Sequence, residues 1–450
     1  MSSDHREPSL DVGLLSPVSA GHDESVSDAA ILDALVTAEV ALVRGLARVG
    51  ALDPGAAERL SAEYGWTDSG CRGHGLSATD LALAAVDGGN PVIPLVGALR
   101  GRGVEPDAIH RGATSQDILD TALMLVAREA LGRVIADLDR AARALSAFAD
   151  EHAGVVTAGR TLTQHAVPTT VGARVAGWVR GIRRAVHRLR EARDALPVQL
   201  GGAAGTLAAT VDEWGTDAAA ALPSAFAAEL GLMAPDAPWH TERWPVTELG
   251  DALVQAVDAV GKVAADVAVL TRPEIGELAE GRGGGSSAMP QKQNPVASAL
   301  IRSAALRAPQ LAATLHLASA FAVEERPDGA WHAEWPTLRE LLRLALGSSA
   351  QAAALAEGLV VDRAAVARNL ALSDGRIVSE RLARVLVPRI GKERFAALIG
   401  EASTGSLAGA LRALPEAADL DVDALLDPAG YTGLAERFVG DATAPDSGRA

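Results

Sequence analysis

From Gln116 to Ala153 the chain reads QDILDTALMLVAREALGRVIADLDRAARALSAFADEHA, 38 residues with one glycine, Gly132, and no proline. Glycine and proline are the residues that interrupt helices, whereas alanine, leucine, arginine and glutamate extend them. As one helix this stretch would be about 57 Å long, some three times the mean globular helix. A rod of that length buries its apolar stripe only by lying along other rods. Comparable runs cover 169–195, 244–272, 296–320 and 335–357. Hydrophobic residues make up 48% of the chain but aromatic ones only 3%, so alanine, leucine and valine must fill the core. That composition suits helix-on-helix packing rather than a β-sandwich. The predicted fold is therefore all-α. A small helical domain occupies 27–115, a central long-helix bundle 116–365 and a second small helical domain 366–440. Ile31, Leu35, Ala38, Leu42 and Leu46, at three- and four-residue spacing, mark the first helix. Residues 1–26 and 441–450, rich in Ser, Asp, Gly and Pro, are expected to be disordered or frayed.

The formal net charge of −16 argues against a nucleic-acid partner, because neutralising phosphates takes clustered Lys and Arg. A small anion remains a candidate ligand where positive groups converge locally. The single cysteine, Cys71, excludes an intrachain disulfide and supplies no metal-binding cluster. MSSDHREPSLDVG has neither the basic nor the apolar region of a secretory signal. Nor is there an uninterrupted apolar run of about 18 residues. A cytoplasmic protein with no membrane association is the expectation.

Four polar segments break the helical pattern. GRGGGSSAMPQKQNP (281–295) has four glycines, two serines and two prolines, a composition that specifies loop shape. Asn294 suits an N-cap and Pro295 a first helical turn, which would set Ser286, Ser287, Lys292 and Asn294 before a helix N-terminus, where anions are favoured. HRGATSQD (110–117) precedes the longest run, with Thr114 or Ser115 suited to capping it. GRTLTQHAVPTT (159–170) carries Arg160, Gln164 and His165 in a turn ahead of another helix. QLGGAAGTLAAT (199–210) is a small-residue turn, followed by PWHTER at 238–243. Each has a plainer explanation: a flexible connection, simple caps, a surface arginine, a satisfied histidine. Gly201, Gly202 and Gly205 follow no strand pattern and lead to no GK[ST], so they are no phosphate loop. AWHAEW (330–335) lacks HExxH spacing and reads as helix-start packing. What favours function is coincidence. Three separate loops at long-helix junctions carry hydroxyls, amides and cations with almost no carboxylates, a set of donors that suits a polycarboxylate.

GSSAMPQKQNP (285–295) resembles the fumarase/aspartase superfamily signature GSSxMPxKxNP and matches every specified position. GATSQDILDTA (112–122) and GRTLTQHAVPTT resemble that superfamily's other two active-site blocks. HRGATSQDILDT, QHAVPTT, LGGAAGTLAA, PWHTER, AWHAEWPTL and DPAGYTGLAERFV are similar to one branch, the bacterial 3-carboxy-cis,cis-muconate cycloisomerases. One position departs from most of the superfamily's lyases. Where they carry GRTH, with a histidine proposed for acid/base work, this chain has Leu162. His165 is the nearest replacement.

The resemblance implies a three-domain all-α subunit in a homotetramer, with active sites assembled from blocks of three subunits. It implies no cofactor and no metal, and a small tricarboxylate as substrate. Ser286 is the superfamily's catalytic serine position. Lys292 would stabilise charge, and His165 is a candidate proton donor or ligand. His110, Thr114, Ser115, Arg160, Gln164 and Asn294 are the implied substrate-binding residues, and the serine-loop glycines a hinge. The implied reaction interconverts 3-carboxy-cis,cis-muconate and 4-carboxymuconolactone. The alternatives are a fumarate-releasing lyase of the adenylosuccinate type and a non-catalytic tetrameric scaffold.

Overall fold

The structure, a computed structural model, describes residues 12–285, 288–401 and 406–444. Helices dominate. The expected long runs form Ser115–Glu151, Val171–Asp194, Trp244–Leu270, Val296–Ala320 and Gly329–Gly358, so the all-α fold is borne out. Gly132 does not interrupt the first of these, because tertiary packing outweighs its propensity cost of about 1 kcal/mol. The β structure among the described residues is limited to three two-stranded sheets. None of the described helices is long and apolar enough to cross a membrane.

The chain divides into two compact units, 1–137 with 185–258 and 303–350, and the remainder. The division falls inside each of the five long helices. In the first unit, Asp28–Arg48 is capped by Ser27, whose Oγ accepts from Ala30 N, and it buries Leu35, Leu42 and Leu46 as their spacing predicts. In the second, short helices after residue 376 enclose a cluster containing Ile377, Leu382, Leu386, Leu407 and Leu411.

The first unit also holds a buried ionic centre. Arg243 donates to both oxygens of Asp120 (2.8 and 3.0 Å) and to Glu334 (2.7 Å), and its guanidinium lies 4.6 Å from the centroid of the Trp239 ring. Trp331 Nε1 donates to Asp120 Oδ1 at 2.9 Å. Burial works against the Arg243 charge, but the two carboxylates outweigh it and hold the group more firmly protonated than a free arginine. The PWHTER and AWHAEW segments are therefore joined by an ion pair in which every partner is out of water.

Described segments near both ends of the chain make specific contacts. Val18 is buried, and a side chain at Gly347 would collide with its backbone. Arg343 pairs with Asp23 at 2.8 Å, while Arg339 donates to the Val26 carbonyl. These contacts hold residues 18–26, part of the segment 1–26 expected to be disordered; residues 1–11 lie outside the described residues. At the other end Thr443 Oγ1 donates to Asp150, and Arg183 to the Ala442 and Ala444 carbonyls. The frayed tail expected over 441–450 is therefore docked as far as Ala444; residues 445–450 lie outside the described residues.

Replacing Arg243 with methionine leaves two buried carboxylates without a counter-charge and should cost about 3–5 kcal/mol of stability. Arg140→Ala, which removes an exposed pair with Glu357, should cost less than about 1 kcal/mol. Urea unfolding followed by circular dichroism at one fixed protein concentration separates the two.

Candidate functional site

The first unit contributes the 110–117 turn. Ser115–Glu151 begins as expected, with Thr114 at its cap position and Asp117 reaching back to accept from Thr114 N at 2.9 Å. The Asp117 carboxylate does more than cap. Oδ1 accepts from Gly201 N (2.9 Å) and His240 Nε2 (2.7 Å), and Oδ2 also accepts from Gly202 N (2.9 Å). One buried carboxylate thereby joins three segments that are far apart in sequence. Glycine is needed at 201 for steric reasons, since a Cβ there would lie 2.7 Å from Pro238 and 2.8 Å from His240.

His110 takes a left-handed conformation (φ 60°), and its Nδ1 lies 2.7 Å from Glu39 Oε1. Burial alone would lower the imidazole pKa. The hydrogen bond and charge of Glu39 outweigh it, so His110 holds its proton to higher pH than a free histidine. Thr114 Oγ1 accepts from Arg326 Nη1 at 2.6 Å, and Arg326 Nη2 donates to the Ala203 carbonyl at 2.7 Å. Arg326 escaped the sequence reading although it sits in EERP, a polar break between two long helices like the other segments. Seven buried side-chain polar atoms have no partner among the described residues. Four of them, Glu39 Oε2, Gln116 Oε1, Thr210 Oγ1 and His240 Nδ1, belong to this turn or to residues packed on it. Unsatisfied buried groups carry a desolvation cost and are rare in packed cores, so their concentration here marks a place prepared for polar ligands or water.

The second unit contributes a hairpin where a turn ahead of a helix was expected. Val156–Thr161 and Gln164–Thr170 pair antiparallel, with Arg160 opposite His165. Leu162 and Thr163 form its tip with φ of 48° and 70°. Two left-handed residues are what a tight hairpin turn requires, but side chains other than glycine or asparagine adopt that conformation at a cost of about 1–3 kcal/mol each. Leu162 is 95% exposed.

Arg160 donates to both oxygens of the buried Glu277 (3.1 and 2.5 Å), and Glu277 also accepts from Asn369 at 2.9 Å and pairs with Arg174 at 3.4 Å. Burial would raise the Glu277 pKa, yet the Arg160 and Asn369 hydrogen bonds and the arginine charges hold it below the usual value. Both terminal nitrogens of Arg160, a residue expected to bind substrate, donate to Glu277, so this side chain braces the hairpin within the unit. Across the ladder His165 is driven the opposite way from His110. Burial and the Arg160 charge lower its pKa, and Glu277 offsets only part of this. This environment favours the neutral imidazole. Gln164 is exposed, with Nε2 3.4 Å from Thr163 Oγ1.

The 281–295 loop closes on itself. Gly284 and Asn294 exchange backbone hydrogen bonds of 2.9 and 2.8 Å, and a Cβ at Gly284 would overlap Val296. At that position glycine is a packing requirement. Asn294 does not cap the next helix; its Nδ2 is 3.5 Å from the Gly285 carbonyl. Val296–Ala320 is capped instead by Glu280, which accepts from Ala297 N (3.1 Å) and Ser298 N (2.8 Å). The anion-binding N-terminus foreseen for this loop is therefore filled by the chain's own carboxylate. Lys292 is exposed. Ser286, the expected catalytic serine, and Ser287 lie outside the described residues. Among the described residues no cluster of three or more His, Cys, Asp or Glu is arranged to hold a metal ion.

The profile of a family described as lyase matches residues 90–309. The nitrosuccinate lyase of Streptomyces davaonensis is 46% identical over 96% of this chain and 94% of its own length. The 3-carboxy-cis,cis-muconate cycloisomerase of Pseudomonas aeruginosa is 40% identical over 92% of this chain and 91% of its own. Among solved structures, the 3-carboxy-cis,cis-muconate lactonizing enzyme of Pseudomonas putida aligns with a TM-score of 0.86 at 36% identity, covering 96% of this chain and 98% of that one.

In a histidine-selective NMR titration, His165 should titrate below 6.5 and His110 above it. If turnover needs neutral His165, kcat/KM is level above that pKa and falls as pH drops through it. Arg160→Gln removes a charge that depresses the pKa, so the acid limb should move to higher pH.

Proposed function

Since the chain belongs to the lyase family of the fumarase/aspartase superfamily, we propose that it catalyses an elimination, or the reverse addition, on a small polycarboxylate whose leaving group departs as a weakly basic anion. Leu162 carries this reading. An amine leaving group needs a general acid, because an amide anion is far too basic to be expelled. Nitrite and carboxylate are conjugate bases of acids and leave without a proton. A hydrocarbon side chain at the superfamily's histidine position fits the second kind of leaving group and disfavours adenylosuccinate-type chemistry.

In the favoured reading the substrate is nitrosuccinate. A base removes the proton from the carbon next to one carboxylate, and that electron pair passes into the carboxylate as an enediolate. Collapse of the enediolate forms the carbon–carbon double bond and breaks the C–N bond, giving fumarate and nitrite. The 46% identity to nitrosuccinate lyase over 96% of the chain supports this substrate. Lactone formation from 3-carboxy-cis,cis-muconate is the second reading, supported by the branch motifs and by the TM-score of 0.86. It passes through the same kind of enediolate. A carboxylate oxygen adds to the double bond and a proton is delivered to carbon.

Both substrates ask the chain to hold extra negative charge on a carboxylate. Preorganised donors of this kind contribute about 3–4 kcal/mol each. In this proposal Ser286 handles the proton, activated by Lys292, while Lys292 and Asn294 face the developing charge. His110, biased by Glu39 toward its cationic form, binds a carboxylate with Thr114, Ser115 and Arg326. Gln164 and neutral His165 complete the set from the hairpin, with Arg160 bracing it. The proposed assembly is a homotetramer of three-domain subunits in which turns of different copies meet.

Purified protein should release nitrite and fumarate from nitrosuccinate, with 3-carboxy-cis,cis-muconate assayed in parallel for loss of its diene absorbance. Turnover of neither by folded protein, or fumarate release from adenylosuccinate, would overturn the leaving-group argument. Ser286→Ala should lower kcat by about a hundredfold or more with little change in KM, as expected of a group acting in the transition state. Activity should survive exhaustive chelation; a reproducible requirement for an added divalent ion would contradict the proposed charge stabilisation.

A further inference from the structure

A cavity of about 690 Å³ opens in the first unit, and none of its lining residues belongs to the 110–117, 199–205 or 238–243 segments. Its walls come from Asp28–Arg48, the Trp66–Cys71 hairpin, the first half of Ser115–Glu151 and the end of Ala208–Leu230. That volume lies within the usual range for organic-ligand sites. Its chemistry is unusual for a chain with net charge −16, because four arginines line it. Arg44 and Arg48 share one carboxylate, Glu229, at 2.6 and 3.1 Å. Arg72 is 3.3 Å from Asp33, which His74 also engages. Arg128 has no carboxylate within ion-pair distance among the described residues and donates only to the Leu230 and Gly231 carbonyls. The other acidic lining residues are Asp68 and Glu129; Glu129 pairs with Arg133 at 3.0 Å, and its charge offsets part of the burial cost at Arg128.

A second observation points to a ligand. Ser25 lines the cavity, is only 3% exposed, and its Oγ has no partner among the described residues. The remaining wall is mixed: the hydroxyls of Thr37, Thr67 and Ser69 alternate with an apolar patch of Ala30, Ala34 and Val126 and with the Trp66 ring, over which the Arg44 guanidinium sits at 4.7 Å. Cations above an apolar patch select a molecule with both characters.

We propose that this cavity binds a flat aromatic carboxylate, its carboxylate held by Arg128 and its ring against the alanine face and Trp66. Burial also depresses the Arg128 pKa, so an arriving anion would stabilise a charge that the fold holds at a cost.

The probe is 2-naphthoate, titrated into the full-length protein by calorimetry, with 2-naphthylmethanol as an uncharged control. One molecule should bind per chain, and the alcohol should bind far more weakly. Arg128→Gln should weaken 2-naphthoate by about tenfold or more, the usual value of one charge-assisted hydrogen bond. Ala30→Phe fills the cavity from a partly exposed position, leaves every charge in place, and should weaken binding as much. Lys292→Met should leave binding unchanged. The proposal is overturned if no binding occurs at about 1 mM, if both cavity variants bind like the parent, if the alcohol binds equally well, or if Lys292→Met abolishes binding while Arg128→Gln does not.

Discussion

The first unit is organised by the Asp117 carboxylate, which accepts from Thr114, Gly201, Gly202 and His240. A carboxylate buried without partners would cost several kcal/mol. One that accepts four donors instead becomes a fixed point, because each donor is backbone or a ring held by its own neighbours. Three loops that meet nowhere in the sequence have their geometry set relative to that point. One helical turn further along, Asp120 repeats the device with Arg243 and Trp331. The start of the longest helix therefore serves both as a rod and as a register for the loops around it.

His110 in the first unit and His165 in the second are biased in opposite directions. His110 is paired with a buried glutamate, and His165 faces an arginine, so one fold holds one imidazole toward its cationic form and the other toward its neutral form. Burial pushes both imidazoles toward the neutral form; at His165 it is the main cause and Arg160 adds to it, whereas at His110 the hydrogen bond and charge of Glu39 reverse the sign. The family's usual histidine is replaced by Leu162 on the exposed, left-handed tip of the hairpin that carries His165.

Much of this was legible in the residues. The long helices follow from uninterrupted apolar periodicity, and the polar breaks from the glycines and prolines that interrupt it. The hairpin was not legible, because TLTQ contains none of the Asn-Gly or Asp-Gly signals that announce a tight turn. Nor was the Glu280 cap, since a carboxylate 17 residues ahead of Ala297 leaves no local spacing to read. The Arg160 pairing was hidden for the same reason: its partner, Glu277, lies 117 positions away. The order at the N-terminus depends on Gly347, more than 300 residues downstream. Local pattern specified the elements, and the distant ion pairs that decide which polar groups are already occupied left no mark in it.

Glu280 has a further consequence for the glycine loop. Because the helix that begins at Val296 receives its stabilising carboxylate from ahead of the glycine loop, the side chains within the loop owe that helix nothing. The loop's polar residues are thereby left to chemistry, and the helix behind it stays capped whatever substrate the chain serves.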